Sequence, residues 1–418
     1  MQVLIYNAKI ILPYDILYGY LLIEDGKIAA IESGYPDSQL NVSEKIDAEG
    51  LYVSPGFIEL HTHGCGGSDF MDGTVSAFIT AANTHMQHGT TTLLPTALTA
   101  SPSDTRLCVE TFLKAKSQLT AGPNMPGLHM EGPYLNLAYK GAMNEKYLRN
   151  PDPAEYRRLI EDFPGAIMRW TVAPELPGAL EMGDFLMAHN ICASIGHSAA
   201  DFETVKKAYS HNYTLITHLF SAMSTIVRKD GFRYPGVQES AFLLNNIDVE
   251  IIADGCHIPP ELLRAVWLSK GTDHTALTCD SMRCAGTDVK SSFLGSIDDG
   301  IPVTVEDGVA KLTDGSGFGG SIATDDRLVR TMYHLAGVPL VDCIRMMCTT
   351  PARIIGISQH KGSITCGKDA DLVIFDEDIS IKQVFINGKT TYHKNSIQGG
   401  NYGNSYYAKR SRGWAVSR

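Results

Sequence analysis

Between residues 55 and 354 the chain repeats one rhythm: a short apolar run, then a stretch with helical apolar spacing. The runs are Ile58–His61, Thr91–Pro95, Gly127–Met130, Met168–Ala173, Cys192–Gly196, Leu215–Thr217, Val249–Ala253 and Ala276–Cys279. Apolar residues recur at helical intervals in Thr74–His88, Leu107–Thr120, Phe202–His211 and Glu261–Ser269. Eight strands alternating with helices predict a (β/α)8 barrel of the TIM type rather than an open doubly wound sheet. In such a barrel the reactive groups collect at the C-terminal ends of the strands, so the residues closing each run are where chemistry is expected.

Both ends of the chain break that rhythm. Leu21–Glu24 and Lys27–Glu32 flank Asp25-Gly26, a two-residue hairpin signal, and Ile381–Ile386 and Lys389–Tyr392 flank Asn387-Gly388 in the same way. A lone hairpin is marginal in water, so the two ends are expected to share one small sheet domain. The expected division is residues 1–54 with 355–395 for the small domain and 55–354 for the barrel. Residues 301–313 read as a hairpin inserted into the barrel, Pro302–Glu306 and Val309–Thr313 about Asp307-Gly308. Helices are expected near 321–336, 339–348 and 351–356. The tail, residues 396–418, holds four basic and no acidic residues among Gly, Ser and Tyr, the composition of a flexible basic segment.

Polar groups stand where the barrel reading wants them. The first run ends in IELHTH, so His61 and His63 project to one side of a strand. Glu131 closes the third run, His197 the fifth, His218 the sixth and Asp280 the eighth, and Asp254 and His257 follow the seventh. Each alone has a simple structural reading: a hydrogen-bonded His, a capping Asp, a turn Glu. Together, at corresponding strand ends, they suit zinc, iron or a similar divalent ion. His85 and His88 sit in a last helical turn before Gly89, where His favours the helix dipole. His129 is read either as support for the site or as a core histidine.

Composition narrows the partners. Thirty-five basic against 46 acidic residues give a net charge of −11, which disfavours nucleic acid and anionic membrane. The nine cysteines include no CxxC pair and read as reduced thiols. The N-terminus lacks signal-peptide features and no apolar run approaches membrane-helix length, so a cytoplasmic protein is expected. GSGFGG at Gly315–Gly320 satisfies GxGxxG, but helices rather than a second strand follow it; it reads as a glycine-rich approach to the barrel mouth. GSITCGKD at Gly362–Asp369 has Asp369 where a phosphate loop needs Ser or Thr, and leads into a strand.

The segments PGFIELHTHGCGG, GLHMEGPYLNLAYKGA, ASIGHS, THLFSAM, ADGCHIPP, CDSM and TTPARIIG, in that order, together with KGSITCGKDADLVIFD, resemble the N-acetylglucosamine-6-phosphate deacetylase family of the amidohydrolase superfamily. The resemblance covers roughly residues 50–376. It implies a distorted (β/α)8 barrel with a small β-sandwich made from both chain ends. It also implies metal ligation by Glu131, His197 and His218, a second position at His61 and His63, so one or two divalent ions, and a catalytic carboxylate at Asp280. Substrate contacts would come from His257, Ser221, Ala222, Lys140, Gly319 and Arg233, the last reaching a neighbouring site in a homodimer. The implied reaction is release of acetate from an amino-sugar phosphate; another metal-dependent N-deacylase and a non-catalytic sugar-phosphate binder stay open as alternatives. Three departures fall on the substrate side: Met143 where the family has histidine, Ser221 where it has asparagine, and a longer segment before Pro235-Gly236.

Overall fold

The computed structural model describes residues 1–394; the basic tail expected at 396–418 lies outside them. Eight parallel strands form one sheet in strict chain order. They are β1 (Phe57–Thr62), β2 (Thr90–Ala97), β3 (Leu128–Glu131), β4 (Ile167–Val172), β5 (Cys192–Ile195), β6 (Tyr213–Ile216), β7 (Asp248–Ile252) and β8 (Thr275–Thr278). Most of their residues are buried, because helices cover one face and the barrel interior the other. That is why they read as continuous apolar runs rather than alternating ones. All eight strands fall on the eight predicted runs.

The ladder runs from β1 round to β8, and the seam between these two is closed largely by side chains and single bonds. Glu59 accepts hydrogen bonds from His61 N at 2.7 Å, Thr278 Oγ1 at 2.5 Å and Cys279 N at 2.8 Å. Asp280 N donates to His61 O at 3.0 Å, and His63 N to Ser281 O at 2.8 Å. The histidine pair and Asp280 therefore lie side by side across the seam.

The terminal segments build a second, eight-stranded sheet in which Tyr52–Pro55 pairs with Gln2–Ile11 on one side and Leu372–Phe375 on the other. It surrounds its own apolar core, including Val3, Ile10, Leu21, Ile23, Leu372 and Phe385. The two hairpin turns meet: a Cβ on Gly26 would lie 2.9 Å from the Asn387 carbonyl oxygen, and one on Gly388 2.6 Å from Ile23. Both glycines also have positive φ, so side chains are excluded there twice over.

The insertion holds more than the predicted hairpin. Ile301–Glu306 and Val309–Leu312 are the middle of a four-stranded antiparallel sheet, with Ser291–Leu294 and Phe318–Ser321 outside them. The outer strands, Ser-Ser-Phe-Leu and Phe-Gly-Gly-Ser, lack the alternation that marks a strand in sequence. Likewise, the helices expected at 339–348 and 351–356 run on without a break as Leu340–Ile344, a π-helical stretch Arg345–Thr349 and Thr350–Ile354; the wider turn just before Pro351 accommodates a residue that has no N–H to donate. The inserted sheet packs Leu294, Val303 and Ala310 against Leu98, Leu135, Met143 and Met282 beside the barrel mouth.

Candidate metal and active centre

Glu131 ends β3, and the other predicted groups converge on it. Its Oε1 lies 3.2 Å from His197 Nε2 and 3.0 Å from His218 Nε2. Its Oε2 lies 3.1 Å from His63 Nε2 and 3.3 Å from His61 Nε2. Asp280 Oδ1 is 3.4 Å from both His61 Nε2 and His63 Nε2. One carboxylate thus stands between two imidazole pairs. His197, His218 and Asp280, each two residues past its strand, take positive φ, at 49°, 32° and 44°. Such backbone costs on the order of 1–3 kcal/mol per residue and collects where side-chain aim matters more than stability.

The outward-facing ring nitrogens decide what this arrangement is for. His197 Nδ1 is 2.9 Å from the Tyr139 carbonyl oxygen, which can only accept, so Nδ1 carries the proton and Nε2 presents a lone pair. His61 Nδ1 is 3.3 Å from Glu250 Oε2, itself held by Arg169 through bonds of 2.6 and 2.8 Å. With Nδ1 donating there, His61 Nε2 is left bare against Glu131 and Asp280. It is buried and makes no hydrogen bond. His197 Nε2 and His218 Nε2 are only 3.1 Å apart. Lone pairs and carboxylates crowded in this way need positive charge among them, and imidazole with carboxylate is the donor set of a divalent cation. The residues fit the group: Glu131, His197 and His218 form one ligand cluster, and His61, His63 and Asp280 another.

Burial favours neutral His61 and His63, but Glu131 and Asp280 outweigh it, raising His61 well above the usual imidazole range and His63 to about 9; this is the same demand for positive charge that a divalent ion at the bare nitrogens would meet in place of protons. Burial opposes ionised Asp280, but His61 and His63 reverse this and hold it well below the usual carboxylate range. His129, between Thr96 Oγ1 at 3.2 Å and Thr171 Oγ1 at 2.7 Å, packs edge-on to His61 with ring centroids 4.5 Å apart. Burial and Arg169 push it well below the usual range. It is a neutral spacer behind His61.

A cavity of about 510 Å³ opens over these groups. Lys140, Ser221, Ala222, His257 and Gly319 all line it, as do Leu98, Met143, Leu294 and Leu312. Asp254 Oδ2 accepts from His257 Nδ1 at 2.8 Å; burial would lower this imidazole's pKa, but Asp254 raises it. Arg233 is not brought there. It sits on an exposed hairpin, Val227–Lys229 with Phe232–Tyr234, opposite Arg228, and is not among the cavity residues of this chain.

Some of the supporting groups were not anticipated. Arg169 and Glu250 are charged residues inside apolar strands, RWTV and VEII, and that misfit is the signal that could have found them. His85, Cys279 and Asp325 form a third compact trio. His85 Nε2 meets Thr62 Oγ1 at 2.9 Å and Asp325 Oδ2 accepts from Thr90 Oγ1 at 2.5 Å, while His85 Nδ1 and Asp325 Oδ1 are buried without a hydrogen bond; none of the three lines the cavity.

The comparison with known proteins follows the same lines. The amidohydrolase family model matches residues 52–391. This chain belongs to the amidohydrolase family. It is similar to N-acetylglucosamine-6-phosphate deacetylase of Haemophilus influenzae, with 32% identity over 93% of this chain and 99% of the relative. The crystal structure of N-acetylglucosamine-6-phosphate deacetylase from Pasteurella multocida superposes with a TM-score of 0.86 at 30% identity, covering 94% of this chain and all of that one. An N-acetylgalactosamine-6-phosphate deacetylase of Escherichia coli O157:H7 is 29% identical over 88% of this chain and 93% of its own length. Among the described residues no helix is long and apolar enough to cross a membrane.

Proposed function

We propose that this chain hydrolyses the N-acetyl group of an N-acetylhexosamine 6-phosphate, N-acetylglucosamine 6-phosphate first, to acetate and the amino-sugar 6-phosphate. The observation carrying this is Glu131 standing between two imidazole pairs with Asp280 facing the same point, in a chain of this family. Glu131, His197 and His218 would hold one divalent ion, zinc or iron by the donor set, and His61, His63 and Glu131 a second. When bound, such an ion acidifies water and polarises the amide carbonyl. The protein's own groups do the rest. Asp280, whose Oδ1 faces His61 Nε2 and His63 Nε2 at 3.4 Å, accepts the proton of the attacking water and returns it to the departing nitrogen. Arg169 holds Glu250, Glu250 fixes the His61 ring, and Tyr139 fixes His197, so the bare nitrogens stay aimed without reorganisation. His257 and Lys140 offer positive charge to sugar and phosphate oxygens at the mouth.

Arg233, with Arg228 and Lys229 near it, would reach the phosphate in the neighbouring subunit of a homodimer. The hairpin's exposed Val227, Phe232 and Tyr234 supply apolar area for such an interface. Nine cysteines with no CxxC pair among them accord with a reducing, cytoplasmic setting.

Acetate release from N-acetylglucosamine 6-phosphate, N-acetylgalactosamine 6-phosphate and unphosphorylated N-acetylglucosamine tests the reading, with metal content measured on the same preparation. Turnover should favour a phosphorylated sugar. Equal rates with and without phosphate would remove the phosphate from the substrate, and acetate release from none of the three would remove the function.

A further inference from the structure

The cavity's two kinds of wall say more than the acetyl group requires. Lys140, Ser221, His257 and the backbone of the glycine-rich segment 316–320 are its polar lining. Leu98, Met143 and Leu294 give an apolar one, and the same three side chains belong to a buried cluster with Leu135 and Met282. An amide placed with its carbonyl carbon at the carboxylate–imidazole centre has two substituents. The nitrogen carries the sugar, whose hydroxyls and phosphate need the polar lining. The acyl chain is left to the apolar one.

We propose that Leu98, Met143 and Leu294 form an acyl subsite that admits chains longer than acetyl, so that N-propionyl and N-butyryl amino-sugar phosphates are substrates; this rests on the amide-hydrolase reading above. Two further features support it. Leu98 and Leu294 also line a second cavity, of about 190 Å³, so these two side chains border open space beyond the first cavity and have room to yield. Met143 is unbranched, buried and polarizable, a side chain that refits its shape to a neighbour more readily than any aromatic or β-branched residue. The chemistry is unchanged: water's oxygen bonds to the acyl carbon, the C–N bond breaks, one water proton goes to the amine, and a longer carboxylic acid leaves in place of acetic acid.

The test compares kcat/KM for the N-acetyl, N-propionyl and N-butyryl derivatives of glucosamine 6-phosphate on metal-loaded enzyme, reading the free amine. One buried methylene is worth about a factor of 4, so propionyl should equal or exceed acetyl and butyryl stay within about tenfold. A propionyl value more than about tenfold below acetyl overturns the subsite while leaving the deacetylase reading in place. Hydrolysis of propionyl without acetyl keeps the subsite and overturns that reading. No hydrolysis of any of the three overturns both. In Met143→Gln the ratio of propionyl to acetyl kcat/KM should fall at least threefold whatever happens to either alone, because an amide is placed where the extra methylene would lie. An unchanged ratio overturns the role of Met143.

Discussion

Asp280 pays for its position with a left-handed backbone at φ 44°, and its neighbours His61 and His63 pay with desolvation. A carboxylate so held is useful only if it acts on something placed between it and Glu131. Replacing it by asparagine preserves shape and hydrogen-bonding reach but removes the proton acceptor. Asp280→Asn should therefore lose on the order of 10²–10⁴ in kcat while bound metal, measured by elemental analysis, stays near wild type. Loss of metal together with activity would make Asp280 a ligand first and a base second. Most of these residues were legible because each closes an apolar run; the site is read off the places where hydrophobic pattern stops.

At the scale of elements, what lies beneath the site was much less legible. Glu59 bonding across the β1–β8 seam, and Arg169 on β4 gripping Glu250 on β7, are pairings between residues 219 or 81 positions apart that no local pattern encodes. The outer strands of the insertion escaped for the converse reason, their sequence being too short and glycine-rich to show a period. Burial opposes the Glu250 charge, yet Arg169 and His61 hold its pKa down at about 2, so the pair is ionised in the dry interior. Removing one partner strands the other. Arg169→Met should cost about 3–5 kcal/mol in urea unfolding, and Arg169→Met with Glu250→Leu should recover most of that. A double variant as unstable as the single would show that shape, not charge, is what the pair supplies.

Charge also ties the outer shell of the barrel. Asp326 lies between His88, on the helix after β1, and Arg330, with contacts of 3.1 and 2.9 Å. Burial works against its charge, but these partners hold its pKa far below the usual value. A depressed folded pKa contributes stability above the unfolded-state value, near 4, and loses it as pH falls below that. Asp326→Asn should be less stable than wild type by about 3 kcal/mol at pH 7, with the gap narrowing only below about pH 4. A gap that narrowed between pH 5 and 8 would assign the effect to a histidine instead.

At the scale of the whole molecule the barrel has a seam with no continuous ladder, where β1 and β8 meet through side chains and a few single backbone bonds, and the candidate metal ligands straddle it. His61 and His63 come from one edge, Asp280 from the other, and Glu131 from β3 reaches across the barrel mouth to both imidazole pairs. Cations held there would close the barrel mechanically as well as arm it. Binding to the folded state alone adds about 4 kcal/mol at a thousandfold excess over Kd. Chelation should therefore lower the unfolding temperature by several degrees, and readdition of zinc or iron should restore it. Glu131→Gln, with the shared carboxylate gone, should start near the chelated value and respond to neither treatment. Activity lost on chelation with no change in unfolding temperature would mean that the seam is held by Glu59 and its partners alone, and that the metal serves chemistry without serving the fold.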